Sequence, residues 1–229
     1  MSRLAAFYRS TIGKKIIMAV SGLIGVAFLI SHVVSNLLIF SDPRHLDQYG
    51  AMLRSLGPLL WLARIGLIVA VVLHVLMAVQ LTARKRAARP VDYQKRSPQT
   101  STWGSRTMFA GGLLLLAFIV FHLLHFTLGA VTPGFTFHEG LPSLNVFEGF
   151  RSWPVVAFYV VAMVFLGLHL YHGAWSSFRT MGAAAPSANP LRRPLAMIVA
   201  IAIALGFAII PLAVRAGLVR QSPPVTAGR

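Results

Sequence analysis

Apolar positions along the chain gather into five long runs, 15–40, 58–82, 106–131, 154–178 and 194–214. Each holds about 20 residues or more, enough for a helix to cross a bilayer. Polar segments of a different character separate them. Residues 1–14 are short and basic, and 41–57 carries Asp42, His45, Asp47 and Arg54 around a stretch, 46–55, that reads as a short amphipathic helix at the interface. A polar loop with Pro90 and Pro98 follows the second run, and 132–152 holds Pro133, Gly134 and Pro142. Residues 180–193 are rich in Ala, Pro and Ser, and the tail 215–229 reads as flexible. Pro58 and Pro154 suit first-turn positions. The expected fold is an all-α integral membrane protein of one domain, 1–229, with five transmembrane helices of which the first four form a bundle.

Composition agrees: of 229 residues 56% are hydrophobic and only 11% charged. The net charge of +16 would suit a nucleic-acid partner. The basic residues lie beside the apolar runs, however, where they set topology and attract anionic lipid, so no nucleic acid is expected. With the N-terminus inside, the inner segments carry Arg3, Arg9, Lys14, Lys15, Arg84, Lys85, Arg86, Arg89, Lys95, Arg96, Arg106, Arg179, Arg192 and Arg193. The outer segments carry only Arg44, Arg54, Arg151, Arg215, Arg220 and Arg229. That bias predicts an N-in, C-out chain in the cell's inner (cytoplasmic) membrane. The first run lacks a small-residue cleavage site and is expected to stay in place. The absence of cysteine excludes thiolate-held iron–sulfur clusters and covalently attached c-type haem.

Histidine then changes the picture. His32, His74, the pair His122 and His125, and the pair His169 and His172 lie deep in four separate apolar runs. A buried imidazole in lipid is costly unless something binds it. At about 1.5 Å per residue, His32 and His122 or His125 share an outer layer, and His74 and His169 or His172 an inner one. A single such histidine is often bonded to a neighbouring carbonyl, and a proton relay would mix in Asp or Glu, which these runs lack. Two facing imidazoles at each of two depths fit two six-coordinate haem irons held between helices. Within each close pair either ring could face the iron, since residues three apart differ by about 60° in direction. A histidine-relay transporter is the alternative from another class.

The motifs Ser31-His32-Val33-Val34-Ser35-Asn36, Leu73-His74, Phe121-His122, and Leu168-His169 followed by Gly173-Ala174-Trp175-Ser176 stand in a characteristic order. In that order and spacing the chain resembles the single-polypeptide, five-helix dihaem cytochrome b anchor of succinate dehydrogenases and fumarate reductases. The resemblance implies His32 and His122 as ligands of a distal haem b, and His74 and His169 as ligands of a proximal one. His125 and His172 are the alternates; in relatives the position of His172 can be Asn. It further implies a flavoprotein subunit with FAD, an iron–sulfur subunit, and quinone, with menaquinone preferred. A higher oligomer of that complex is compatible with it. The chain itself would be no enzyme but the electron-transferring anchor. The basic inner loops, 84–96 with Arg192 and Arg193, are the expected docking surface. The runner-up is the haem b subunit of another quinone-linked dehydrogenase or a hydrogenase.

In dihaem relatives a quinone site lies toward the outer face. Here that region holds His45, Asp47, Gln48, Tyr49, Arg54 and Arg64. Arg64 is the most unusual, lying inside a membrane run, and is expected to pair with a haem propionate or to orient the quinone. A glutamate that some relatives place near the first two helices is missing from this sequence.

Overall fold

The computed structural model describes residues 2–88, 103–182 and 191–219. The loop cations Arg89, Lys95 and Arg96, the segment 183–190 and the tail from Arg220 lie outside the described residues. All regular structure among the described residues is helical: α1 (Arg3–Arg9), α2 (Thr11–Asn36), α3 (Pro43–Ser55), α4 (Pro58–Ala87), α5 (Trp103–His122), α6 (Pro142–Gly149), α7 (Trp153–Thr180) and α8 (Arg192–Arg215). Five of these are long and apolar enough to cross a membrane: α2, α4, α5, α7 and α8.

The expected spans hold with shifted ends. The first starts at Thr11 because Ser10 Oγ accepts the Gly13 N–H at 2.8 Å, which satisfies an orphan donor of the first turn. It closes in a 3₁₀ turn, Leu37–Phe40. The third span was expected to reach Val131 but stops earlier. After His122 the backbone widens into a π turn, Leu123–Thr127, and Gly129 turns left-handed at φ 63°, a conformation that glycine adopts at little cost. The interfacial helix begins at Pro43, not Leu46, because Asp42 caps it from outside, accepting the Arg44 N–H at 2.9 Å. A helix, α6, stands where the sequence reads as loop.

Hydroxyls within the spans bond carbonyls one turn back, as a low-dielectric surrounding requires. Ser21 Oγ donates to Ile17 O at 2.7 Å, and Ser177 Oγ to Gly173 O at 2.8 Å. Large apolar side chains such as Leu62, Ile65, Ile68, Val164 and Ile198 are exposed on the long helices, the pattern of faces that meet lipid rather than water.

Backbone contacts divide the chain into two compact units. One comprises Met1–Leu29, Trp61–Gly112 and Gly167–Ile201; the other comprises Ile30–Leu60, Leu113–Leu166 and Ala202–Arg229. The first unit is built on small residues. Ala19, Ala70, Ala196 and Ala200 are buried in it together with Met77, Leu170 and Trp175, and small side chains let helix backbones approach closely. The second unit has a bulkier core of Ile39, Leu46, Val146, Phe150, Val155, Val156, Tyr159 and Ile210. There Asp47 stitches α3 to α6. Its carboxylate accepts the Ser143 N–H at 2.8 Å and the Ser143 hydroxyl at 2.6 Å, serving the first turn of α6 from 96 residues away.

Candidate functional site

Each unit contains one facing pair of histidines. In the first, His74 on α4 and His169 on α7 have ring centroids 6.0 Å apart, with ring planes at 59°. In the second, His32 on α2 and His122 at the end of α5 are also 6.0 Å apart, with planes at 80°. All four rings are half-buried. First-row metal–imidazole bonds of about 2.0–2.1 Å, with the ring radii added, put two coaxial imidazole centroids roughly 6 Å apart. Both pairs therefore stand at a separation that one metal ion between them would set.

The first pair rests on backbone. His74 Nδ1 lies 3.0 Å from the Met18 carbonyl. A carbonyl only accepts, so Nδ1 carries the proton and Nε2 keeps its lone pair. Such a bond from the far ring nitrogen fixes the tautomer and orientation of metal-binding histidines. Glycine makes room for both rings. A Cβ on Gly22 would stand 3.1 Å from His74 Cε1, and one on Gly112 would stand 3.6 Å from His169 Cε1. His169 Nδ1 is buried with no hydrogen-bond partner. So are His172 Nδ1 and Trp175 Nε1, whose rings meet at 5.5 Å.

Side chains and aromatic rings surround the second pair. Asn36 Nδ2 donates to the His32 carbonyl at 2.7 Å and lies 3.3 Å from its Nδ1. Phe207 packs on His32 at 5.5 Å, and Phe118 stacks on His122 at 5.8 Å. The Tyr159 hydroxyl lies between two histidines, 3.3 Å from His122 Nδ1 and 3.0 Å from His125 Nδ1. The hydroxyl has one proton, so it donates to one ring at most and accepts from the other. His125, inside the π turn, is fully buried and packs on Phe126 at 4.0 Å and Phe121 at 5.1 Å; its Nε2 has no partner.

Of the close pairs, the rings brought beside a histidine of another helix are thus His122 and His169. His125 reaches the second pair through Tyr159, and His172 turns toward Trp175. Tyr159 was missed in the sequence, because a tyrosine in an apolar run reads as packing; its depth, near that of His122 and His125, was the available signal.

Of the residues expected around a quinone, His45, Asp47, Gln48, Tyr49 and Arg54 lie on α3. Asp47 holds α6, and Arg54 Nη2 donates to the Gly140 carbonyl at 3.3 Å. Exposed His45 bonds Ser41 Oγ through Nδ1 at 3.0 Å, and Tyr49 is half-buried on α3. Arg64 is exposed and lies over Trp61 at 5.1 Å, a cation–π pair near a helix start that suits the membrane interface.

Among the described residues no three or more His, Cys, Asp or Glu side chains gather as a metal-binding group. A metal held by either pair has two protein ligands, and its remaining positions need a donor set that the side chains do not supply. A haem would bring such donors with it, leaving the protein to supply the two imidazoles. The spacing of the two pairs, the freed His74 Nε2 and the glycines beside His74 and His169 would fit that group; His32 would join it once its Nδ1 is released from the Asn36 N–H, which only donates. No protein-family model matches the chain, and neither a curated protein nor a solved structure matches it.

Proposed function

We propose that this chain is a dihaem cytochrome b membrane anchor that exchanges electrons with quinone. His74 and His169 hold one haem b, and His32 and His122 hold the other. Two equally spaced histidine pairs, one in each unit, are the observation that carries this reading. Bound haem supplies reversible one-electron redox chemistry in a surrounding without water. The protein's part is to present four neutral imidazoles. Met18 fixes the proton on His74 Nδ1. On the other pair, His122 Nδ1–H donates to the Tyr159 oxygen and Tyr159 O–H donates to His125 Nδ1, which leaves His122 Nε2 for the iron.

By the order and spacing of its motifs, the complex is succinate:quinone oxidoreductase, in either direction of reaction. A flavoprotein subunit and an iron–sulfur subunit dock on the basic cytoplasmic side, and menaquinone is the quinone. Asp47 and Arg54 are engaged in holding α3 against 140–143. His45 and Tyr49 on α3 are accordingly the groups for proton exchange with a quinone, and Arg64 works as an interfacial anchor.

The test is a reduced-minus-oxidised spectrum with a pyridine haemochrome count on the purified chain. Two low-spin b haems per chain are expected. One haem would remove one pair from the scheme, and none in folded, haem-supplied protein would overturn it. Co-purification of a flavin-bearing partner with succinate–quinone activity separates this complex from hydrogenase or formate dehydrogenase anchors.

A further inference from the structure

Within the first unit, the Lys14 side chain is only 3% exposed. Burying an ammonium is costly unless an anion meets it. Its Nζ donates to Gln80 Oε1, and it lies over the Tyr8 ring at 4.2 Å from the centroid. Gln80 Nε2 in turn donates to the Tyr8 hydroxyl at 3.2 Å. Close by, Arg84 donates to the Arg9 carbonyl at 2.8 Å and to Thr11 Oγ1 at 3.3 Å. No carboxylate among the described residues pairs with Lys14.

The unused hydrogen-bonding capacity of this cluster is mostly donor capacity. Lys14 has three N–H groups and gives one to Gln80; the Tyr8 O–H and the second Gln80 N–H are also available. What the cluster lacks is a charged acceptor. Its place on α2 indicates the source. Lys14, Met18 and Gly22 succeed one another at four-residue intervals on one helix face, and Met18 and Gly22 both touch His74. Lys14 stands about 6 Å of helix rise from Met18. On α4, Gln80 lies six residues beyond His74.

We propose that Lys14, Gln80 and Tyr8 form an oxyanion site that takes a carboxylate side chain of the haem held by His74 and His169. This rests on the dihaem reading. A phospholipid phosphate shares the chemistry, and the experiment separates the two sources; Met18 and the His74 ring, on the same side as Lys14, favour the haem carboxylate.

The experiment uses the full haem-loaded chain with Lys14→Met and Lys14→Arg. Two quantities are read: the midpoint potential of each haem, and the rate of haem transfer to apomyoglobin. In Lys14→Met, one haem of the two should fall in potential and transfer about tenfold faster, the scale of a lost charge-assisted bond. The His32/His122 haem stays unchanged and certifies the fold. Lys14→Arg should restore most of the effect. If Lys14→Met loses both haems, Gln80→Leu, which keeps the ammonium, should show the same selective change at smaller size. Unchanged potentials and transfer rates would overturn the site, as would loss of a bound anionic phospholipid, read by native mass spectrometry, with both haems unaffected. A wild-type chain that binds no haem would overturn the dihaem reading itself, a distinct result from intact haems that ignore Lys14.

Discussion

The two histidine pairs have the same spacing, 6.0 Å, yet their supports differ in kind. The His74/His169 pair leans on main chain and on missing side chains: the Met18 carbonyl, Gly22 and Gly112. The His32/His122 pair leans on side chains that are present: Asn36, Tyr159, Phe118 and Phe207. A carbonyl acceptor survives any substitution at its own residue, so the first pair is hard to retune and easy to obstruct. A hydroxyl can be deleted with one substitution, so the second pair is easy to retune and tolerant of small steric change.

On the proposed dihaem reading, removing a proposed ligand breaks the comparison most severely. His74→Leu or His169→Leu should abolish the haem of the first unit and leave the second. His32→Leu or His122→Leu should do the reverse. Each should halve the pyridine haemochrome value, because an iron that loses one axial imidazole keeps no second anchor on the facing helix. His125→Leu and His172→Leu should keep both haems. A variant of His125 that loses a haem while His122→Leu keeps it would exchange their roles.

Obstruction comes next in size. Gly22→Val places carbon within about 3 Å of the His74 ring, nearer than side-chain contacts normally come. The ring must move or the helix must shift, and His74 is also tied to Met18 on the same helix as Gly22. Haem content of the first unit should drop by more than half, with the second unit's haem unaffected. Gly112→Ala is the control. At 3.6 Å from His169 Cε1 its methyl makes ordinary contact, so both haems should remain. Equal losses in the two variants would show that general packing, not the clearance around His74, is responsible.

What was legible in the sequence follows from how each feature is encoded. Five spans were readable because length and apolarity alone specify them, and the histidines because each is an isolated polar group deep in such a run. The ends of the third span were not. The π turn that carries His125 depends on how Leu123–Thr127 packs, and the residue after which the helix widens, His122, looks like any other helical position. Helix α6 was invisible because the carboxylate that serves its first turn, Asp47, comes from another helix. For the same reason the bonds by which Asp47 and Arg54 join α3 to 140–143 could not be read from the sequence. Lys14 counted among the topology signals, since burial of one lysine out of a basic N-terminus is a tertiary fact.

The smallest expected effect is the most discriminating. Tyr159→Phe keeps the ring that packs on Phe118, Phe150 and His122 and deletes only the hydroxyl between His122 and His125. Both haems should remain, because packing in this unit's core is preserved. A net hydrogen bond contributes about 1 kcal/mol, which for a one-electron couple is roughly 40 mV. An Nδ1–H···O bond makes His122 more electron-donating toward iron and favours the oxidised state. Its loss should therefore raise the potential of the second unit's haem by about that amount and leave the first unit's haem where it was. A redox titration resolving the two α-bands reads both at once. No shift would mean that His122 Nδ1 does not donate to Tyr159. Movement of both potentials together would mean that the substitution disturbs more than one hydroxyl, and the contrast between a side-chain-supported pair and a backbone-supported pair would lose its basis.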